Sequence, residues 1–440
     1  MPFLRVKPAG PLGGEVEARG AKNAVLKQMA ACLLASGTHR LTNVPAISDV
    51  DTMAELLTHL GCTVQRPADH ELAITVPPAE SLVPHAPAHL FEAMRASIVV
   101  LGPLLARCGA AHLALPGGDD FGGRPINFHT DGLGAMGATF ANERDSIHAS
   151  APGRLRAARI VLEYPSHTST DNLLMAAVLA EGRTVIDNAA REPEVEDLGR
   201  QLQAMGARIE GLGTSRLVVD GVAELSPARH EVITDRVVTA TYLAAGLITG
   251  GEVRVTDGRP DHMEMLLRKL EAMGAEVDEH GPGIAVKGPK KLRAVDVATL
   301  PFPGFATDFM PILTNLKGKK PDVVFFGGHV LHRSHTNKSK DRLPRLTDDQ
   351  AAKPNPVLFK SQLLEIKKQT QVECTKVCLS RLINDKVPNY WLVTREKNQT
   401  YTAGQLMVQN TFFCVHFYRK FIPFRPFFAF SIPFVSQALV

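Results

Sequence analysis

The chain has 440 residues, 45% hydrophobic and 21% charged, with a net charge of +4. That length predicts two or three domains with real cores, and so small a net charge argues against a dedicated nucleic-acid binder, which concentrates basic residues on one face. No run of about 18 apolar residues exists to span a membrane, and the N-terminus MPFLRVKPAG lacks the apolar stretch of a signal peptide. The six cysteines form no CxxC pair and read as reduced thiols of a cytoplasmic protein.

From about residue 20 to residue 316 the chain carries a degenerate repeat of roughly 70 residues. Each unit opens with an Ala/Leu-rich helix that is apolar nearly all round, as a buried helix would be. A strand follows, then an amphipathic helix, a closing glycine and more strand. Unit one runs from AKNAVLKQMAACLLASG to LLTHLGCTV, and unit two from MRASIVVLGPLLARCG to LGAMGATF. Unit three runs from STDNLLMAAVLAEG to LQAMGARI, and unit four from DRVVTATYLAAGLITGG to LEAMGAEV. A fifth opens with TDFMPILTNL and stops resembling the others. Gly61, Gly137, Gly206 and Gly274 each stand where a helix ends and a strand begins, the position for a C′ glycine. Leucines at helical spacing precede them, as in Leu56, Leu57 and Leu60. Strands are predicted at ELAITV (Glu71–Val76), at RLVVDG from Arg216 and at GIAVKG from Gly283. The pattern predicts α/β domains of repeated units. Cys108, near the end of an apolar helix, reads as a buried thiol.

Polar residues gather where the buried helices begin: Lys22 and Asn23, Arg95, Ser166 to Thr170, Asp235 and Arg236, Thr307 and Asp308. Free N–H groups and a partial positive charge make such ends anion sites. Between units lies LPGGDDFGGRPINFH, Leu115 to His129, whose glycines and prolines predict a loop with neither helix nor strand. Asp119 and Asp120 offer proton transfer there, and Arg124 a forked clamp for phosphate or carboxylate.

GAKNAVLKQMAACLLASG, MRAS at Met94 to Ser97, LPGGDDFGGRPINFH, NAAREPEVEDL from Asn188 and PFPGFATDF from Pro301 together resemble the UDP-N-acetylglucosamine 1-carboxyvinyltransferases, a family of enolpyruvyl transferases. The resemblance covers residues 1–316. It implies an inverse α/β barrel fold of two domains, each of three units about a pseudo-threefold axis. On that basis residues 22–231 form one complete domain, and residues 1–21 with 232–316 form part of a second, truncated one. The implied reaction moves the enolpyruvyl group of phosphoenolpyruvate to the 3′-hydroxyl of UDP-N-acetylglucosamine, with no metal or organic cofactor. The implied phosphoenolpyruvate contacts are Lys22, Asn23 and Arg124. The implied nucleotide-sugar contacts are Arg95, Arg124, Pro125, Ile126, Asn127, Phe128, Tyr164, Pro165, Ser166, His167 and Asp308. Lys22, Asp119 and Asp308 carry the implied catalysis: Asp119 stands where the family's loop proton donor is usually cysteine, and Asp308 where a carboxylate takes the hydroxyl proton. Tyr164 replaces a frequent lysine, Asn127 a common aspartate, and His167 a small apolar residue. Two other readings are a 3-phosphoshikimate 1-carboxyvinyltransferase and an inactive remnant that binds the UDP-sugar.

From Lys317 the composition changes. KGKKPDVVFFGGHVLHRSHTNKSKDR carries no repeat, and the Phe/Pro-rich FIPFRPFFAF lies near the end. The family would continue through unit five and a sixth unit, with arginines that close on phosphoenolpyruvate. Residues 317–440 are therefore expected to be an unrelated, aberrant or unstructured tail.

Overall fold

The computed structural model describes residues 10–117, 126–143, 146–289 and 291–315, with short strands at 324–326, 330–332, 394–396 and 399–401. The chain divides into two units, residues 1–320 with 326–328 and residues 321–325 with 329–440. In the second, Thr394–Glu396 pairs antiparallel with Gln399–Tyr401. Most of the 317–440 tail lies outside the described residues.

The first repeat has helices α1 (Lys22–Ala31) and α2 (Ser48–His59) with strands Gly37–Thr42, Thr63–Gln65 and Leu72–Val76. The second has α3 (Ala88–Ala93), α4 (Leu101–Cys108) and α5 (Asn127–Ala135) with strands Ala110–Ala114, Thr139–Glu143 and Ser146–Ser150. The third has α6 (His167–Ala177) and α7 (Pro193–Ala204) with strands Arg159–Val161, Arg183–Asp187, Arg208–Glu210 and Arg216–Asp220. The fourth has α8 (Arg236–Thr249) and α9 (Glu264–Ala272) with strands Glu252–Val255, Glu276–Asp278 and Ile284–Lys287. The last, α10 (Met310–Asn315), follows a 3₁₀ turn at Thr307–Phe309.

Each repeat folds its own antiparallel sheet, and three of the sheets gain a parallel edge strand. Arg229–Glu231 returns to pair with Arg40 to Thr42 of the first repeat. Gly13–Val16 pairs with Glu252–Val255 of the fourth. The alternation in sequence sets the register: Leu41 faces Leu72, Leu217 faces Ile186 and Val253 faces Val286. The apolar face of each sheet covers helices, and polar residues alternate outward.

The closing glycines work as their sequence context predicts. Gly61, Gly137, Gly206 and Gly274 have φ of 101°, 97°, 105° and 98°, the left-handed region that a Cβ disfavours. The following amide then donates back into the helix: Cys62 to Leu57 at 3.0 Å, Ala138 to Leu133 at 3.0 Å, Ala207 to Leu202 at 2.9 Å and Ala275 to Leu270 at 3.0 Å. Four repeats thus end their second helix with one Schellman closure. The leucines ahead of it, Leu56, Leu57, Leu60, Leu198, Leu202, Leu266, Leu267 and Leu270, are all buried.

One contiguous core runs from Ala21 to Val232 and encloses α1, α4 and α6. Methionine 29, Leu33, Leu104, Leu173 and Leu174 have no exposed surface.

Three sequence expectations are corrected. The run Leu115–His129 ends inside a helix, since Asn127, Phe128 and His129 are the first residues of α5; past Pro125 nothing in the sequence breaks helical backbone until Gly132. Arg95 opens a 3₁₀ stretch, Arg95–Val100, rather than the buried α-helix itself. Pro103 lacks the N–H that would bond the Val99 carbonyl, so the α ladder establishes itself only beyond that stretch. Cys108, the last residue of α4, is half-buried, because the helix end reaches the surface beside Gly109.

Candidate functional site

Three long helices start at one place. Asp235 Oδ1 accepts from the amides of Val237 at 2.7 Å and Val238 at 3.0 Å, capping α8. Its Oδ2 accepts from the Lys22 amide at 3.0 Å, so one carboxylate caps α1 as well. Ser166 caps α6 by accepting from the Ser169 amide at 3.4 Å. The N-terminal ends of α1, α6 and α8 belong to residues far apart in sequence, and each end favours an anion.

A cavity of about 590 Å³ opens beside these ends. Asn127 and Phe128 of α5 line it, with Tyr164, Pro165, Ser166 and His167 leading into α6. Thr299 to Phe302 and Ala306 to Asp308 supply further lining, together with Glu192 and Arg236. Its size suits a nucleotide-sized ligand, and it mixes apolar surface with a few polar groups.

The cavity therefore gathers Asn127, Phe128, Tyr164, Pro165, Ser166, His167 and Asp308 out of the sequence candidates. Asn23 is tied to it: its Nδ2 donates to Asp308 Oδ2 at 3.4 Å. Lys22, half exposed, pairs its ammonium with Asp49. Arg95 is not part of the cavity lining; its Nη1 donates to the Pro116 carbonyl at 3.1 Å and braces the base of the Gly-rich run. Gly117 is pinned there too, its amide donating to Phe91 at 2.9 Å, and an added Cβ would meet the Glu92 carbonyl oxygen at 2.0 Å. Ile126 precedes α5 and packs on the core rather than the cavity. Asp119, Asp120, Arg124 and Pro125 lie outside the described residues.

Electrostatics under the cavity come from His167 and Arg236, both expected from the sequence, and from Lys27, His129, Asp171, Glu192 and Glu194, to which the sequence assigns no role. Arg236 Nε bonds Glu194 Oε1 at 2.8 Å with both side chains buried, and the guanidinium lies 5.6 Å from the Phe302 ring centre and 5.7 Å from that of Phe309. Burial pushes the Glu194 carboxyl up, but the Arg236 charge, His167 and the hydrogen bonds from Arg236 and the backbone together outweigh it and hold the group at about 2. Burial raises Glu192 beside it. Burial also carries His167 well below its ordinary value, and Lys27 adds to that. Asp171 is pushed up to about 7, by burial above all, against the pull of Lys27. His129 falls to about 4, through burial and then the Arg95 charge, and its Nδ1 lies 3.0 Å from Asn172 Nδ2. The signal for Lys27 and Asp171 was present in sequence: opposite charges inside two Ala/Leu-rich helices that the repeat pattern buries. Among the described residues no cluster of three or more His, Cys, Asp or Glu could hold a metal ion, and no helix is long and apolar enough to cross a membrane.

The EPSP synthase (3-phosphoshikimate 1-carboxyvinyltransferase) family profile matches residues 6–323. A UDP-N-acetylglucosamine 1-carboxyvinyltransferase of Nocardia farcinica is 50% identical over 309 residues, 69% of this chain and 72% of that one. One from Corynebacterium jeikeium is 47% identical over 301 residues, 68% of this chain and 71% of that one. The enolpyruvyl transferase NikO from Streptomyces tendae superposes with a TM-score of 0.62 at 23% identity, covering 71% of this chain and 75% of that one. An EPSP synthase from Acinetobacter baumannii superposes at 0.56 and 20% identity, covering 72% of this chain and 74% of that one. Mixed α/β repeats, a cavity at converging helix ends and relatives at this identity place the chain in the enolpyruvyl (carboxyvinyl) transferase family.

Proposed function

We propose that the chain transfers the enolpyruvyl group of phosphoenolpyruvate to the 3′-hydroxyl of UDP-N-acetylglucosamine and releases phosphate. This would be a cytoplasmic step of peptidoglycan precursor synthesis, on which cell shape and division depend. The names of the relatives at 47–50% identity favour the UDP-sugar over a shikimate phosphate as acceptor. The observation that carries the reading is the Asn23–Asp308 contact at 3.4 Å, which joins residues 285 positions apart at the edge of the cavity.

In this scheme Lys22, Asn23 and Arg124 hold the phosphate and carboxylate of phosphoenolpyruvate. Arg95 and the Arg124–Phe128 and Tyr164–His167 segments hold the nucleotide sugar. Asp308 takes the proton as the 3′-oxygen bonds to C2 of phosphoenolpyruvate, and Asp119 gives a proton to the methylene carbon. The resulting tetrahedral ketal then loses phosphate by C–O cleavage as a methyl proton leaves. Two carboxylates in unlike surroundings supply the acid and the base. We also propose residues 22–231 as a domain that folds by itself, with residues 1–21 and 232–316 belonging to its neighbour.

Calorimetry with UDP-N-acetylglucosamine and a phosphate-release assay with both substrates test the reading. Asp308→Asn and Asp119→Asn should each lose at least about a hundredfold in release, the usual weight of a general acid or base, and Asp119→Asn should do so with the UDP-sugar affinity kept. A chain that binds no UDP-N-acetylglucosamine sinks the proposal. Binding without release makes the chain a UDP-sugar-binding remnant.

A further inference from the structure

A group of buried charges beneath the cavity has no part in the scheme above. Lys27 and Asp171 are 3% and 0% exposed. Asp171 Oδ2 lies 3.7 Å from Lys27 Nζ and 3.5 Å from His167 Nε2. Neither oxygen of Asp171 completes a hydrogen bond, nor does His167 Nε2. Lys27 donates to the Asn23 carbonyl, and the Asn23 side chain reaches Asp308. A line of polar contacts thus runs from Asp308 through Asn23, Lys27 and Asp171 to His167, with both ends on the cavity. Glu192 and Glu194 at the start of α7, and Arg236 at the start of α8, are the other charges around it.

Buried ions are costly unless each has a partner. An ionised carboxylate only accepts hydrogen bonds, and a neutral imidazole donates from one nitrogen and accepts at the other. His167 Nε2 faces Asp171 Oδ2 at 3.5 Å, the outer edge of hydrogen-bonding distance. The nitrogen bonded to the carboxylate carries the proton, and the other is left an acceptor.

Resting on the transferase reading, we propose that Asp171, held by Lys27, is a positioning residue for His167: it accepts the Nε2–H and leaves Nδ1 to accept a hydrogen bond from a donor on the bound nucleotide sugar. His167 thereby helps determine specificity. It selects a ligand with a hydroxyl or amide N–H at that point over one with only acceptors or apolar surface.

The test uses the full chain at pH 8, above the value of about 7 to which burial lifts Asp171. Calorimetry with UDP-N-acetylglucosamine is run on the unmutated chain, His167→Val, the charge-free pair Lys27→Met/Asp171→Leu, and all three changes together. The paired change leaves no ion buried alone, and a thermal melt confirms that each variant folds. Affinity should fall about tenfold in His167→Val and in the pair, the weight of one hydrogen bond. The triple variant should lose no more than either, because the pair acts through His167. In parallel, ¹⁵N-histidine labelling should reveal a protected imidazole N–H proton that disappears in both His167→Val and the pair. Additive losses in the triple variant, or no such protected proton in the unmutated chain, overturn the proposal. An unmutated chain that binds no UDP-N-acetylglucosamine refutes the transferase reading and the recognition by Nδ1. The imidazole signal still decides the Asp171 contact on its own.

Discussion

Helices α1 and α8 occupy matching places in their repeats, and both begin at Asp235. Helix α8 carries the longer apolar stretch, VVTATYLAAGLIT, with Arg236 as its only charge. Helix α1 includes Lys22, Asn23, Lys27 and Gln28. Composition alone would bury α8 the more deeply, yet the reverse holds. From Ala24 to Ala31 every residue of α1 is buried, whereas Val238, Tyr242 and Ile248 of α8 are each 38% exposed. The difference is in the neighbours. Helix α1 packs against α2, α7, the Arg95–Val100 turn and Cys32–Leu34, while α8 packs mainly against its own sheet and α10. Among the described residues, α1 is enclosed by elements of three repeats, whereas α8 is covered mainly by its own repeat and α10. Burial in this fold is a property of the number of repeats around a helix.

The joint between the two regions should give the largest single effect. Arg236→Met leaves Glu194 ionised and alone in the interior, and should lower unfolding free energy by about 3–5 kcal/mol. Urea unfolding measures it; a loss under about 1 kcal/mol would mean that the buried pair does not tie the regions together. Within the enclosed core, Leu174→Ala on α6 should cost about 2–5 kcal/mol, the cost of a cavity that cannot collapse. The same measurement giving a surface-like value would break the contrast with α8.

Titration separates the regions next. In the native state His129 is held at about 4, against an ordinary 6.5. Between those values the unfolded chain binds a proton that the folded chain refuses. Stability contributed by the neutral ring is therefore present above pH 6.5 and lost as pH falls toward 4, by about 3 kcal/mol in all. Denaturation curves across that window should be flatter for His129→Gln; identical slopes would show that the ring titrates freely. The smallest effect is expected on the open face of α8, where Ile248→Ser should stay within about 0.5 kcal/mol of the unmutated chain. A larger loss would reveal that the face is covered in solution.

Much of the fold was readable because a repeat states its rule several times. The glycine at 61, 137, 206 and 274 is ambiguous once, but four recurrences at one point in the pattern identify a helix end. The cavity was readable in part. Asn127, Phe128, Tyr164 to His167 and Asp308 are legible through motifs and Arg236 through its place at a helix start, whereas Glu192 is visible only as an ordinary charge in NAAREPEVEDL. The motif implies a ligand contact for Arg95, and its side chain also braces Pro116 at 3.1 Å.

The sequence by itself determined the periodic properties: which helices are apolar, where they stop, and which strand faces look inward. Those follow from residue types at fixed spacing, because backbone geometry and solvent act on neighbours along the chain. Only the tertiary structure decided that Asp235 caps two helices, that Lys27 meets Asp171, and that Asn23 lies beside Asp308. Each of these joins residues from different repeats, and no local pattern encodes the approach of two segments that share neither a turn nor a strand pair.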